Sequence, residues 1–208
     1  HRLRGLSAYA YGAMILLLAV TPLVGREVNG ARSWLGFGEA GVQPSEFAKI
    51  ATILFLAMYL TAVGRGIREL PRFLLGLAIV LAPMGLILLQ PDMGTALVFI
   101  PIFLFMSFAA GARPRHIGFL VGSGFLMLLL AVLPSYERWI IGRQTSVLSA
   151  LTEFELARYF LLALLAIAAL SAWGYRAFRR RYFFWLLYVG SLLFVGGLGA
   201  QVLVRALK

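Results

Sequence analysis

Long apolar runs alternate with short polar intervals along this chain of 208 residues. A run of about 17 to 25 apolar residues is long enough to cross a bilayer as a helix. The runs are too long and too continuously apolar to alternate like the strands of a membrane barrel. The predicted fold class is all-α, a polytopic membrane helical bundle forming one transmembrane domain over residues 1–208. The seven predicted spans cover residues 6–24, 46–63, 73–89, 95–110, 117–133, 156–173 and 182–203.

The composition supports a membrane protein and narrows the possible partners. The chain is 62% hydrophobic and 13% charged, with a mean hydropathy of +0.91, which exceeds what a soluble core requires. A net charge of +11 would also suit nucleic acid, but in a membrane chain the positions of the charges matter more than their sum. Nucleic acid is therefore not expected as a partner. The chain has no cysteine, and His1 and His116 are its only histidines, so a metal site built on these residue types is not expected.

Lysine and arginine are unevenly shared between alternate loops. Eleven lie in one set of loops and six in the other, leaving out Lys49 and Arg158, which fall inside predicted spans. Because the cytoplasmic side carries the excess, we expect a cytoplasmic N-terminus and an outer C-terminus. The basic run at residues 176–181 then faces the cytoplasm, and we interpret it as an orientation signal rather than a site for anionic lipid. The outer loops are predicted at residues 25–45, 90–94 and 134–155.

Two further features have structural interpretations. The loop from Ser135 to Glu155 carries mixed charge and is typical of a solvated or amphipathic connector. In the last predicted helix, glycines and the pair Gly196 and Ala200, four residues apart, favour close helix packing rather than chemistry.

The longest polar interval of the first half contains the string Asn-Gly-Ala-Arg-Ser-Trp-Leu-Gly at residues 29–36 and ends at Gln-Pro-Ser-Glu-Phe-Ala-Lys at residues 43–49. It introduces Glu46 and Lys49 at the start of an apolar run, where charge is costly without a partner or a function. Residues three apart on a helix share a face, so the two can form a local ion pair, and an acid suits the first turn of a helix. Spacing alone leaves this structural interpretation and a functional one about equally supported.

Asp92 lies in the turn Gln-Pro-Asp-Met-Gly-Thr at residues 90–95. An aspartate after proline and before a helix commonly caps that helix, which is a sufficient structural explanation. The functional alternative gains from convergence, because Arg32, Trp34, Glu46 and Lys49 are predicted on the same side of the membrane as Asp92. Cations, an indole and carboxylates together suit an anionic, sugar-bearing lipid.

The strings at residues 29–36 and 43–49, followed by Gln-Pro-Asp-Met-Gly-Thr-Ala-Leu-Val at residues 90–98, closely resemble the SEDS family of shape, elongation, division and sporulation proteins in their order and spacing. The elongation branch of the family is the nearer one, and the division branch comes second. The resemblance is strongest over residues 6–133. It implies a polytopic peptidoglycan glycosyltransferase of the plasma membrane that polymerises lipid II into glycan strands during cell elongation. It also implies a class B penicillin-binding protein as partner, beside membrane lipids.

The resemblance also implies roles for individual residues. Asp92 and Glu46 would support catalysis at an outward-facing cavity, and Arg32, Trp34 and Lys49 would bind substrate. A divalent metal is possible, without an identified ligand set. One departure is Ser33, because the family commonly has arginine before the tryptophan.

Larger departures concern completeness. The resemblance implies that this chain begins at the family's third span and that the essential aspartate, the general base, lies beyond Lys208. The helices predicted at residues 156–173 and 182–203 look inserted, and this stretch alone is expected to be inactive. Two alternative functions remain open, namely a transporter (flippase) of the lipid-linked precursor and an inactive scaffold that docks a partner membrane protein.

Overall fold

The computed structural model describes residues 2–28, 31–37, 40–136, 154–178 and 181–206. These residues are mostly helical, and a 3-10 turn at Gly64–Arg68 joins the second and third helices. The helices are α1 Arg2–Val24, α2 Pro44–Val63, α3 Leu70–Leu88, α4 Met93–Leu97, α5 Phe99–Ala109, α6 Pro114–Tyr136, α7 Phe154–Phe178 and α8 Arg181–Ala206.

The predicted class of a polytopic helical membrane protein is confirmed. Five helical segments of the described chain are long and apolar enough to cross a membrane, and they correspond to α1, α2, α3, α6 and α8. The two other predicted spans fall on shorter apolar helical segments, Met93–Ala109 and Leu161–Arg176. Those two stay predictions.

The span predicted at residues 95–110 is divided in the structure. Helix α4 has 5 residues and ends at Leu97, and α5 begins at Phe99. Pro101 lies in the first turn of α5 and has no backbone N–H to donate to the Leu97 carbonyl. The continuous α-helical hydrogen bonding is therefore interrupted near Val98.

A small antiparallel sheet occupies the first polar interval, where no strand was predicted. It has the order β1-β2-β3. The Asn-Gly pair between the first two strands is the strongest short-range hairpin signal, and it was overlooked because strands were considered only as possible membrane barrels. The strands are β1 Arg26–Val28, β2 Ala31–Phe37 and β3 Ala40–Val42.

The chain divides into two compact units, His1–Ile117 and Gly118–Lys208. In the first, α1 packs on α2, α2 on α3, and α3 on α5. Its core includes the buried Leu18, Leu56 and Phe73, and the rings of Phe73 and Phe103 meet edge to face with centroids 5.2 Å apart. That the whole chain forms a single domain stays a prediction.

In the second unit, α7 packs along α8. A Cβ on Gly196 would lie 2.8 Å from a Leu126 methyl carbon, and one on Gly197 would lie 3.1 Å from Leu161. Ala200 is buried. The prediction that these small residues permit close helix packing is confirmed. Most of the predicted connector at residues 135–155, and Arg179 and Arg180 of the basic run, lie outside the described residues.

Candidate functional site

The first turn of α2 carries the predicted charged pair. Pro44 opens the helix, where its missing N–H is not needed, and Glu46 lies in the first turn, where an acid favours the helix dipole. The Lys49 ammonium is 2.8 Å from a Glu46 carboxylate oxygen, and the two side chains are 22% and 54% exposed. The predicted local ion pair is confirmed. An exposed pair of this kind contributes only about 0.3–0.5 kcal/mol, so it holds neither side chain firmly.

Asp92 has two hydrogen-bonding roles. One carboxylate oxygen accepts from the backbone N–H of Thr95 at 3.1 Å, which caps α4 as predicted. The other accepts from the Gln43 side-chain amide at 2.8 Å, across 49 positions of sequence. Gln43 is the residue just before α2. The carboxylate therefore joins the starts of α2 and α4, and with them two of the three sequence strings.

Gln90, two residues before Asp92, fixes the same turn against α1. It is only 1% exposed, and its side-chain amide donates to the Leu18 carbonyl at 2.9 Å. The turn at residues 90–94 therefore lies beside α1 as well as beside the start of α2. This agrees with the prediction that the loops at residues 25–45 and 90–94 share one side of the protein.

The sheet holds the two substrate-binding candidates of the first string. Arg32 pairs across the strands with Glu27, and the guanidinium Nε lies 3.7 Å from a Glu27 carboxylate oxygen. The side chains of both residues are well exposed, at 60% and 59%. An ion pair so long and so exposed contributes little to stability, which leaves the Arg32 guanidinium available to an anion.

Trp34 lies two positions further along the same strand. Its ring covers Gly41 of β3, because a Cβ on that glycine would be only 2.8 Å from the Trp34 Cε3 atom. Ser33, between Arg32 and Trp34, is buried. The position at which the resemblance implies an arginine therefore carries a small, buried side chain.

The structure joins part of the predicted set and separates the rest. Asp92, through Gln43, is tied to the helix turn that carries Glu46 and Lys49. Within the described ranges, Arg32 pairs and Trp34 packs inside the sheet, and this sheet contacts both α1 and α2 through β2. The sheet therefore lies beside the group formed by Asp92, Gln43, Glu46 and Lys49. The hydrogen bonds and ion pairs named above do not join Arg32 or Trp34 directly to that group.

Three residues of this region were missed by sequence reasoning. Gln43 and Gln90 were included in the motif strings without a predicted role, although each stands directly before a proline and its side-chain amide can donate hydrogen bonds. Glu27 has a sequence signal in the Asn-Gly hairpin, because a two-residue turn sets it across from the following strand. In the part of the chain that the structure describes, no group of three or more His, Asp or Glu residues is placed to hold a metal.

The sequence of this chain matches a known protein family and several of its members. The family model described as cell cycle protein, covering FtsW, RodA and SpoVE, matches residues 1–174. The chain is 41% identical over 209 aligned residues to peptidoglycan glycosyltransferase RodA of Treponema pallidum (strain Nichols), covering 100% of this chain and 48% of that protein. It is also 43% identical over 121 residues to stage V sporulation protein E of Bacillus subtilis (strain 168), covering 56% of this chain and 33% of that protein.

Solved structures agree with the sequence comparison. The crystal structure of Thermus thermophilus rod shape determining protein RodA matches with a TM-score of 0.53 and 30% identity, over 99% of this chain and 65% of that chain. A second match has a TM-score of 0.56 and 27% identity, over 99% of this chain and 82% of the other. Its structure is described as the structural coordination of polymerization and crosslinking by a peptidoglycan synthase complex.

The extent of these matches corrects one expectation. The alignment with the T. pallidum relative covers 100% of this chain. The sequences of helices α7 and α8 therefore have counterparts in that relative. The interpretation of these helices as an insertion is wrong with respect to that relative. The chain spans about half the length of that relative, at 48%.

Proposed function

Because the chain belongs to the FtsW/RodA/SpoVE family of cell cycle proteins, we propose that it is part of a peptidoglycan glycosyltransferase of the plasma membrane, which polymerises lipid II during cell elongation. The observation that carries the proposal is the 2.8 Å hydrogen bond from Gln43 to Asp92. It makes a single structural unit of two strings that stand far apart in the sequence. The multi-pass helical fold is suited to a lipid-linked substrate.

In the proposed reaction, the 4-hydroxyl oxygen of one lipid-linked disaccharide bonds to the anomeric carbon of the growing strand. The bond from that carbon to undecaprenyl pyrophosphate breaks, and a carboxylate takes the hydroxyl proton. Both oxygens of Asp92 already accept hydrogen bonds. We therefore assign Asp92 to holding the site rather than to accepting the proton.

The cations of this chain would hold the pyrophosphate. Arg32 and Lys49 form only weak, partly exposed pairs, with Glu27 and Glu46, and a phosphate oxygen is a stronger partner for either. Trp34 presents an aromatic surface that would pack on a sugar or on the isoprenoid. Substrate would thus be bound between the sheet and the start of α2.

Orientation and partner are part of the proposal. The excess of basic residues in alternate loops supports a cytoplasmic N-terminus for this chain and an outer position for the sheet. A class B penicillin-binding protein is the proposed partner, which the similarity to a chain of a peptidoglycan synthase complex supports. The nascent glycan strand would leave on the outer side.

Polymerisation of lipid II by the purified full-length protein tests this function. Asp92→Ala is expected to lower polymer yield strongly at unchanged expression, and wild-type yield in this variant would remove Asp92 from the site. The competing transport function predicts precursor movement across liposomes without polymer. Transport needs polar groups between helices near the midplane, and the buried polar side chains of the described spans are serines and threonines, with no charged group.

The Arg32–Glu27 pair offers a matched test of substrate binding. Arg32→Ala is expected to raise the KM for lipid II, since a phosphate contact is lost, whereas Glu27→Gln frees the guanidinium and keeps activity. Either change should alter stability by no more than about 0.5 kcal/mol, because the pair is exposed. Equal losses of activity in the two variants would mean that the pair acts only within the sheet.

A further inference from the structure

Prolines lie inside two neighbouring membrane helices of the first unit. Pro22 is inside α1 and Pro83 is inside α3. In an α-helix each N–H donates to the carbonyl four residues earlier, and proline has no N–H to donate. The carbonyls of Leu18 and Ile79 therefore lack their regular donors.

A side chain from elsewhere in the unit donates to each of these two carbonyls. The Gln90 amide, just past the end of α3, donates to the Leu18 carbonyl of α1 at 2.9 Å. The Tyr11 hydroxyl of α1 donates to the Ile79 carbonyl of α3 at 2.7 Å. The unpaired carbonyl of α1 thus receives its hydrogen bond from the turn that follows α3, and the unpaired carbonyl of α3 receives its hydrogen bond from α1.

Burial makes these two bonds consequential. Leu18 is fully buried and Gln90 nearly so, and the Tyr11 ring is held in place by stacking on Phe55 of α2, with centroids 4.5 Å apart. Inside a bilayer no water is available to a free carbonyl, so neighbouring side chains must supply the donor. Both donors meet this need at the two positions where the helical pattern fails.

We propose that Gln90 and Tyr11 are positioning residues that form a reciprocal lock between α1 and α3, defined here as the two bonds to the Leu18 and Ile79 carbonyls. The lock fixes the turn after α3 against α1, and this turn carries Asp92 two residues later. The consequence for glycosyl transfer rests on the proposed function, whereas the lock itself does not. Gln90 and Tyr11 act on the site through this turn and have no assigned contact with substrate.

Double-mutant cycles test the lock directly, on the purified full-length protein in detergent. Tyr11→Phe removes only a hydroxyl, and Gln90→Met removes the donor at similar side-chain length. Pro22→Ala and Pro83→Ala return the missing N–H. Each donor deletion is expected to lower the folding equilibrium constant about three- to ten-fold in the native background, and less than about two-fold when its own proline is alanine.

The mismatched cycles serve as controls. Gln90→Met with Pro83→Ala, and Tyr11→Phe with Pro22→Ala, should combine nearly additively, because the restored N–H belongs to the other carbonyl. Coupling that is equal in matched and mismatched pairs would overturn the lock. This outcome does not depend on lipid II.

Tyr59→Phe is a control for Tyr11→Phe, because it removes the same hydroxyl group from a bond to a carbonyl that has no proline four residues later. Its hydroxyl also donates to a carbonyl of α3, that of Arg72, at 2.6 Å, but Gly76 supplies the regular helical N–H there. Its loss should therefore change stability less than the loss of the Tyr11 hydroxyl. Equal effects would show that the proline gap has no special importance.

Positioning is separated from stability by the variant Gln90→Met with Pro22→Ala. The alanine N–H satisfies the Leu18 carbonyl, so stability should return, but the side-chain hydrogen bond from the turn to α1 is lost. Spin labels on cysteines placed at the exposed Leu23 and Met93 should then give a broader distance distribution than they give with Pro22→Ala alone. The kcat of polymerisation should be about ten-fold below that of the wild-type protein, with KM little changed.

Two results distinguish the failures. Recovery of both the narrow distance distribution and kcat together with stability would mean that Gln90 acts only on stability, and it would overturn the positioning role. Absence of polymerisation by the wild-type protein would remove the proposed function, while the cycles and the spin-label distances would still decide the lock.

Discussion

Replacing Asp92 by asparagine or by alanine separates its charge from its hydrogen bonds. Asparagine keeps an acceptor for the Thr95 N–H and is as good a helix cap as aspartate. Its amide can also pair with Gln43, if the Gln43 amide turns to offer its oxygen. Alanine loses both bonds.

The structure sets the sizes of these losses. The cap bond to Thr95 at 3.1 Å is worth about 1 kcal/mol, and the bond from Gln43 at 2.8 Å to a carboxylate is worth about 1.5 kcal/mol. Asp92→Ala should therefore lower the free energy of unfolding by about 2–3 kcal/mol. Asp92→Asn should lower it by less than about 1 kcal/mol, because one cap and one amide pair remain.

Equilibrium unfolding in detergent measures these changes, and Gln43→Met completes a cycle with Asp92→Ala. We expect a coupling of about 1 kcal/mol between positions 43 and 92, while lipid II polymerisation by the asparagine variant reports the effect of the charge at nearly native stability. Equal destabilisation by asparagine and alanine, or additivity of the Gln43 and Asp92 changes, would refute the assigned bonds.

Two glycine predictions address the sheet and the second unit. Gly41→Ala should displace the tryptophan ring that lies 2.8 Å from the added Cβ and shift its indole resonance in NMR spectra, whereas Gly85→Ala, with nothing within 4 Å, should leave that resonance unchanged. Gly196→Ala should lower the free energy of unfolding by about 1–3 kcal/mol, since the new Cβ would lie 2.8 Å from the facing leucine. Gly190→Ala, whose nearest contact is 3.8 Å, should change it little, and equal losses at positions 190 and 196 would contradict the assigned packing.

The helices were predictable because their signal is local. Apolar runs such as residues 46–63 are long, and a bilayer requires backbone hydrogen bonds to be made within the segment. The first turn of α2 and the Asp92 cap were also predictable, since an i,i+3 pair and an N-cap involve only near neighbours.

What could not be predicted depends on contacts between distant residues. The Gln43–Asp92 bond spans 49 positions and the Gln90–Leu18 bond spans 72, and no periodicity indicates either. The division of α4 from α5 was available in principle from Pro101, but the apolar run conceals it. Hydropathy shows which segments are apolar enough to be stable as helices in a bilayer, but it says little about where the backbone hydrogen bonds of such a helix are interrupted.

The polar residues of the two Gln-Pro strings fall into two groups, those that form internal hydrogen bonds and those that form only a weak ion pair. The amides of Gln43 and Gln90 and the Asp92 carboxylate are committed to internal hydrogen bonds of 2.8–3.1 Å, whereas Lys49 has only a weak local partner. The Gln43 and Gln90 amide donors and both Asp92 oxygens can be retained near the bilayer because each forms a hydrogen bond, although the Gln90 Oε1 atom is buried without a partner among the described residues. A loosely paired cation is what an incoming phosphate requires. Substitutions of the first group should therefore affect stability and activity together. A change at the cation should affect substrate binding at nearly constant stability.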